Sequence, residues 1–385
     1  MEKITEFCTG CRACEQLCPT RSITMSPDKE GFLMPFVSQE TCIDCLLCQK
    51  RCPQNSISAS TTSSSVYAFR NKDDSTLFNS ASGGSFVAFA CYIIENGGVV
   101  YGAAYVDDDL HVEHIRVDNL QELVKLQSSK YVQSNPQNTY SEVLKDLQNG
   151  INVLYSGTPC QIAGLKSFLK KDYDGLLTID LICHGVPSPL LFEKYIQWMS
   201  LHFSKIVEYD FRDKSAGWGL GYKYKTVDKS KAKPGVLDPY YYHFLKGNTY
   251  RECCYKCKYT KPDRIADITI GDYWGIEKEH PGFYSNKGVS CILLNSKKGE
   301  LLFEKIRLYA YVLESTFDKV AKHNDNLLLP TERHSIRNSI YRGLNEKSLD
   351  MFFSENMKYP RSFMAILKSF ISPKMILHIK RLITK

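Results

Sequence analysis

Long apolar runs are missing from this 385-residue chain. None approaches the roughly 18 residues that a membrane-spanning helix requires. The opening residues, MEKITEF, carry acids and no apolar core, so no secretory signal is read there and a cytosolic location is expected. No G-x-G-x-x-G occurs, which removes the fingerprint of a Rossmann dinucleotide site. Acids are absent from residues 361–385, which hold six Lys or Arg. The tail thus carries +6 of a net +7, leaving about +1 for the rest. A nucleic-acid-binding protein more often spreads base along a whole face, so that class is not expected.

What the chain has in excess is cysteine, fifteen in all. In a small secreted protein this would indicate disulfides; in a long chain without a signal it indicates metal. Eight of the thiols form two runs. Cys8, Cys11, Cys14, Cys18 and Pro19 recur at a constant offset of 34 as Cys42, Cys45, Cys48, Cys52 and Pro53, and the same offset carries Ser22-Ile23 onto Ser56-Ile57. An internal duplication is the simplest origin. Three closely spaced thiolates can wrap one [4Fe-4S] cube, while the fourth, followed by proline, reaches the cube of the other half, as in bacterial two-cluster ferredoxins. Cluster one would take Cys8, Cys11, Cys14 and Cys52; cluster two would take Cys42, Cys45, Cys48 and Cys18. A zinc site needs only four ligands in two spaced pairs, which leaves the third cysteine of each run and the proline without a purpose.

After Pro53 the stretch QNSISASTTSSS reads as a linker. The organisation expected is a two-cluster ferredoxin-type domain over 1–55 and a Ser/Thr-rich linker over 56–65. The body would follow in two parts, 66–150 and 151–310, with a helical C-terminal region over 311–385. The fold class is an α+β ferredoxin-like module followed by an α/β domain with a mixed sheet and a helical C-terminal segment. Within the body, VYAFR and GGVVYGAAYV read as strands, and Gly83 to Ile94 as the opening and run of a helix. Ile151 to Tyr155 reads as a strand, Ser156 to Pro159 as a turn, and the residues from Cys160 as a helix, with Pro159 suited to its first turn. GLLTIDLICHGVPSP and IADITIGDYWG read as buried strands ending in turns.

Cys160 follows one strand, Cys183 ends another, and RECCYKCKY sets Cys254 and Cys257 two residues apart. Four cysteines at strand ends and turns either converge on a third cube or are free packing thiols; spacing alone leaves both open. Cys91 and Cys291 sit in apolar contexts and read as packing residues.

Taken together, the ferredoxin pair, SASGGSFVAF, SSKYVQS, YSGTPCQIAGLK, DLICHGVPS, CYKCKY and RIADITIGDYWG resemble the coenzyme F420 hydrogenase/dehydrogenase beta-subunit family, in order from Cys8 to about residue 310. The resemblance implies a flavoprotein with FAD and a [4Fe-4S] cluster in the body. It also implies Cys160, Cys183, Cys254 and Cys257 as ligands of that third cluster, Cys254 being preferred to Cys253 because it forms the C-x-x-C pair with Cys257. Relatives act on a deazaflavin, reduce a chlorophyll intermediate, or occur in polysaccharide biosynthesis. For FAD, Ser82, Gly83 and Gly84 before an apolar helix offer free amides to a pyrophosphate. Lys130 offers a charge, and Ser156, Gly157 and Thr158 offer donors beside Cys160. His184 and Asp272 are the candidate catalytic residues. His184 is also placed to hydrogen-bond a cluster sulfur, and Asp272 to anchor the pocket. Arg212, Lys214, Trp218 and Arg264 are candidates for an anionic pocket or for a charged surface.

The expected activity passes single electrons from a ferredoxin-type donor through the clusters to FAD, for two-electron chemistry on a small molecule in either direction. The alternative is an electron-transfer subunit without a substrate of its own, docking to a larger redox enzyme. The tail, where apolar residues crowd between Lys368, Lys374, Lys380 and Arg381, reads as a basic amphipathic segment suited to peripheral contact with an anionic membrane or to packing on the body.

Overall fold

The computed structural model describes residues 7–55 and 61–360. The amphipathic tail expected at 361–385 and the first half of the expected linker lie outside them. Residues 7–55 hold two short helices, Ala13–Leu17 and Leu47–Lys50, and an antiparallel hairpin of β1 (Ile23–Pro27) and β2 (Leu33–Val37). The duplication seen in the cysteine spacing is repeated in the backbone. Gly10 (φ 67°) and Asp44 (φ 48°) are related by the 34-residue offset, as are Arg12 (φ 60°) and Leu46 (φ 58°). Left-handed residues beside right-handed ones turn successive amides to one side and form an anion-binding concavity. Arg12, Asp44 and Leu46 adopt φ values that side chains with a Cβ disfavour, a strain that persists only where its surroundings enforce it.

The body is built on eight strands. β3 (Ser65–Asn71), β4 (Val99–Tyr105), β5 (Val112–Val117), β6 (Val153–Gly157) and β7 (Leu176–Leu181) come first. β8 (Ile206–Asp213), β9 (Gly221–Thr226) and β10 (Ser230–Pro234) then form a separate antiparallel sheet. β11 (Ile268–Asp272), β12 (Ser290–Leu294) and β13 (Ala310–Ser315) complete the large sheet, whose order is β13-β3-β12-β11-β7-β6-β4-β5. Its four inner strands β4, β6, β7 and β11 run parallel; the flanks pair antiparallel. The sheet is mixed, as expected. Helices cover both faces, so its strands are apolar on both sides. Along β6, Leu154 joins the core with helices Ser85–Glu95 and Lys297–Ile306. Val153 and Tyr155 join the opposite core with helix Pro159–Leu169.

Two boundaries differ from expectation. Residues 311–315 are strand rather than helix, because β3 would otherwise present an open edge and β13 closes it. The linker ends earlier: Thr61 bridges Arg264 and Ser64 donates its N–H to the Leu294 carbonyl, while the hydroxyls of Thr61, Ser63 and Ser64 bond to Asn295 and Leu294 at the end of β12. The parts expected at 66–150 and 151–310 also interlock, since β3 lies between β12 and β13.

The N-terminal module is fastened to the body at several points. Gln16 Nε2 donates to the Gln137 carbonyl at 2.9 Å, and Gln133 Nε2 to that of Thr9 at 2.8 Å. Arg51 donates to the Ser167 carbonyl, and Arg337 pairs with Glu30 at 2.6 Å. Helix Pro159–Leu169 presses directly on the first cysteine run. A Cβ at Gly164 would stand 3.0 Å from Cys11 Cβ, 3.1 Å from its Sγ and 2.8 Å from the Tyr140 hydroxyl. Only a residue without a side chain permits that approach. Gly164→Val should therefore weaken the seating of the module by about 1–3 kcal/mol through overpacking. Limited proteolysis should then cut residues 7–55 faster than in the wild type, and an unchanged digestion pattern would contradict the contact.

Candidate functional site

The thiols of the N-terminal module fall into two groups, and each group takes the last cysteine of the opposite run. Burial pushes the Cys11 thiol up to about 12, and the neighbouring Cys8 and Cys52 sulfurs act in the same direction. Burial raises Cys14 as well, followed by the influence of Cys11, Cys8 and Cys52. Burial also raises Cys48, whose sulfur neighbours are Cys45 and Cys18. Cys42 lies in the same loop with its Sγ 3.7 Å from Asp44 Oδ1. Around Cys18 desolvation acts upward, but donors on Thr20 and Ser22 outweigh it and hold the thiol below its ordinary value. The amides of Gly10 and Ser22 point at Cys8 Sγ (3.4 Å) and Cys18 Sγ (3.3 Å). Such N–H to sulfur contacts favour thiolate over thiol.

A third group forms where β6 and β7 end. The two strands are parallel neighbours, with Gly157 opposite Asp180, so the loops that follow them emerge side by side. Thr158 caps helix Pro159–Leu169 through a reciprocal box with Gln161, which fixes Cys160 in the first turn. Burial raises the Cys160 thiol, whose sulfur neighbours are Cys257, Cys253 and Cys11; it also raises Cys183, whose neighbours are Cys160 and Cys257. Of the vicinal pair, Cys253 is the one in the fields of Cys160 and Cys257. Cys254, preferred from the C-x-x-C spacing, packs toward Tyr250 and Tyr255 while still lining the same small cavity. The short 3₁₀ turn Glu252–Lys256 decides which of the adjacent thiols turns inward. Among the described residues, no three of His, Cys, Asp or Glu gather tightly enough to hold a single metal ion. A cube of iron and sulfide spreads its thiolates wider than one ion does.

Two cavities meet at these thiols. The smaller, about 40 Å³, is walled by Cys160, Cys183, Cys253, Cys254 and Cys257, with Thr9 and Gln54 reaching in from the N-terminal module. The larger, about 260 Å³, extends over the ends of the parallel strands. Thr158, Cys160, Cys183, His184, Gly185 and Val186 line both, so one wall separates them. The donor sets fit the groups expected there. In the small cavity Gln54 Nε2 and Tyr259 Oη are buried without a hydrogen-bond partner, among soft sulfur donors. In the large one His114 Nδ1 and Gln127 Oε1 are likewise unsatisfied, and the amino end of helix Ser85–Glu95 lines the same cavity.

The residues proposed for FAD mostly converge. Ser82, Gly84, Lys130, Ser156, Gly157 and Thr158 line the large cavity. Gly83 does not: its N–H is donated to Ser290 Oγ at 2.9 Å, and a Cβ there would meet the Phe69 carbonyl at 2.2 Å. It serves strand packing and offers no amide. Lys130 donates to the carbonyls of Lys125 (2.8 Å) and Gln127 (2.6 Å); desolvation lowers its pKa to about 7 against the raising pull of Asp210. His184 lines both cavities, and burial holds its imidazole below the ordinary value, with Asp272 acting the other way.

Asp272 is placed as an anchor. Arg212 grips it with both arms, at 2.6 and 2.8 Å, and Trp218 Nε1 donates to it at 2.8 Å. Burial alone would raise this carboxyl, but Arg212 outweighs it and holds it below the ordinary range, so it is a poor proton donor. The other cations named from sequence are committed too. Lys214 donates to three carbonyls, those of Leu77, Ser82 and Lys287, and Arg264 pairs with the buried Asp180 at 3.1 Å. None of the three presents a free charge to an anion. His114 and Gln127 escaped the sequence reading because a lone His or Gln carries no periodic signal, and Cys253 ranked below Cys254 because spacing cannot tell neighbouring thiols apart.

Comparison with known proteins bears on the same regions. Residues 151–319 match the family model for the carboxy-terminal part of the coenzyme F420 hydrogenase/dehydrogenase beta subunit, and residues 7–56 match that of a 4Fe-4S dicluster domain. The coenzyme F420-dependent sulfite reductase of Methanocaldococcus jannaschii is 26% identical over 231 residues, 59% of this chain and 34% of that protein. The chain therefore spans about a third of the length of this curated relative. Among solved structures, a chain of the F420-reducing [NiFe] hydrogenase complex from Methanosarcina barkeri is 16% identical with a TM-score of 0.47, covering 78% of this chain and 93% of that one. No helix among the described residues is long and apolar enough to cross a membrane.

Asp272→Asn leaves the Arg212 guanidinium buried without a counter-charge and should destabilise the body by about 3–5 kcal/mol in denaturant titrations. Because the folded carboxyl lies below its ordinary range, the pair's share of stability is present at neutral pH and lost only as pH falls through that lowered value. A variant as stable as the wild type at neutral pH would contradict the assignment.

Proposed function

The chain belongs to the coenzyme F420 hydrogenase/dehydrogenase beta-subunit family, and from that premise we propose that it is an iron–sulfur flavoprotein oxidoreductase. Single electrons from a ferredoxin-type donor enter at the N-terminal module and leave through the large cavity onto a small molecule. The observation that carries this proposal is the wall shared by the thiol-lined cavity and the large cavity. In this proposal Cys8, Cys11, Cys14 and Cys52 hold one [4Fe-4S] cube, and Cys18, Cys42, Cys45 and Cys48 a second. Cys160, Cys183 and Cys257, with Cys253 or Cys254, hold a third. When bound, the cubes supply one-electron transfer, and FAD supplies the exchange between one- and two-electron chemistry.

The chain's own residues divide the remaining work. The amino end of helix Ser85–Glu95 and Lys130 receive the pyrophosphate. The Arg212–Asp272–Trp218 group keeps the end of β11 rigid beneath the cavity. His184, which burial biases toward its neutral form and which lines both cavities, holds a proton close to where negative charge would arrive. Cys45 is exposed, and so are Ile43 and Leu46 around it, which makes the edge of the second thiol group the face where a one-electron donor would dock. The reading as a subunit of a larger redox enzyme is favoured by one fact, that the chain accounts for a third of a longer relative.

Anaerobic purification followed by iron, sulfide and released-flavin assays tests the proposal. Three cubes require about twelve irons per chain, and Cys257→Ser should lower that to about eight with the flavin retained. A solo enzyme should turn over with dithionite as donor, whereas a subunit should do so only with its partner. Iron near four or an absence of flavin would sink the scheme. Lys130 supplies a second test. Its lowered pKa means that phosphate must restore the proton, so binding takes up a proton above pH 7. FAD affinity measured on the flavin-stripped protein should be flat below about pH 7 and weaken as pH rises toward 9. In Lys130→Met that slope should vanish, with affinity about tenfold lower.

A further inference from the structure

Arginine is expensive to bury, and four of the described arginines are buried: Arg212, Arg251, Arg264 and Arg337. Three of them meet a carboxylate. Arg212 pairs with Asp272, Arg264 with Asp180, and Arg337 with Glu30 and Glu252. Arg251, 4% exposed, forms no ion pair with any described carboxylate. Its Nε donates to the Cys8 carbonyl at 2.7 Å and its Nη1 to Gln133 Oε1 at 3.1 Å. Its Nη2 donates to the Leu33 carbonyl at 2.9 Å and lies 2.8 Å from Met34 Sδ. Its guanidinium also lies over the Phe32 ring, 5.3 Å from the centroid. All of these acceptors are neutral. A buried guanidinium with only neutral acceptors is left with most of its desolvation penalty unless an anion stands nearby.

The anions within reach are sulfur. The Cys8 thiol, in the first run, and the Cys253 thiol, in the third group, both lie within the field of this guanidinium, whose Nε already holds the Cys8 carbonyl. The side chain also lines the small cavity of the third group. On its other side it presses against the first run, where a Cβ at Gly10 would stand 2.9 Å from Arg251 Nη1. One cation thus touches both thiol groups, across the contact between the N-terminal module and the body.

We propose that Arg251 is the shared counter-charge of the first and third cluster sites, a positioning residue that stabilises the electron-rich state of both and joins them into one electron path. This deepens the function proposed above and rests on its assignment of those two thiol groups to cubes. A cube held by four thiolates is an anion in either oxidation state and gains one further negative charge when it accepts an electron from the one-electron donor. A fixed cation beside it therefore favours the reduced form, and net charge and hydrogen bonds to sulfur are the levers that set such potentials. No described bond or cavity wall joins Arg251 to the second group, Cys18, Cys42, Cys45 and Cys48, which serves as an internal reference.

The test is an EPR-monitored redox titration of the anaerobically purified full chain, comparing wild type, Arg251→Gln and Arg251→Lys, with iron counted in each. With the charge removed, reduction of two of the three clusters should become about tenfold less favourable, a fall of about 59 mV for one electron, while the third signal stays in place. Arg251→Lys, which keeps the charge without the fork, should remain close to the wild type. Unchanged potentials in the Gln variant, or equal shifts in Gln and Lys, would overturn the proposal by making Arg251 a mechanical clamp only. If the Gln variant loses iron, the Lys variant decides: retained clusters with near-native potentials support the counter-charge, and lost or lowered clusters overturn it. A wild type lacking the iron of the first or third group would instead sink the cluster assignment itself, independently of Arg251.

Discussion

The thiol group in the body, and the two cavities that meet there, depend on two neighbouring parallel strands ending at the same height. β6 and β7 are paired in register, with Ser156 opposite Ile179 and Gly157 opposite Asp180. Their loops lift Cys160 and Cys183 to a common wall. A parallel pair with both faces covered by helices places its loops at one end of the sheet, and polar chemistry collects there because the strands themselves are enclosed. Had these strands paired antiparallel, the two thiols would stand at opposite ends of the sheet.

Around that wall the structure accepts buried charge where it must be rigid. The Arg212–Asp272 and Arg264–Asp180 pairs fix the ends of β11 and β7 beneath the two cavities. Each would be destabilising if half of it were removed, and such pairs add little net stability over apolar packing. Their value here is positional, because they hold backbone whose carbonyls and amides face the site. The left-handed residues Arg12 and Leu46 play a comparable part in the module, where local strain shapes the loops that carry the thiols. The N-terminal module does not float on a linker. Gly164 lets Cys11 approach a body helix, and Thr9 and Gln54 help to wall the small cavity, so the site is completed by both parts of the chain.

Much of this was legible in order along the chain. The duplicated cysteine runs appear in the backbone with the same 34-residue offset. Strands at Val99–Tyr105, Val153–Gly157 and Ile268–Asp272 lie where apolar patterning puts them, and Pro159 opens its helix. These features are local: spacing, alternation and the geometry of proline are written in consecutive residues. Less legible was the fate of the charged residues named for the pocket. Asp272, Arg212, Lys214 and Arg264 all read as candidates for chemistry, and each is occupied by a partner far away in sequence. The edge strand Ala310–Ser315 was likewise hidden, since its only reason to be strand is the open side of β3, some 240 residues earlier.

By itself, then, the sequence determined the donors: soft sulfur in two matched runs, further thiols at strand ends, glycine and hydroxyl residues at helix starts. Those follow from residue type and short-range spacing, which act before any long-range contact forms. Only the tertiary structure separated two adjacent thiols, setting Cys253 in the field of Cys160 and packing Cys254 toward Tyr250 and Tyr255. It likewise decided that Gly83 is sealed against Ser290, and that Arg251 spans two thiol groups with no acid beside it. Those outcomes depend on turns and pairings between segments distant in the chain, where a rotation of one residue in a 3₁₀ turn exchanges inside for outside.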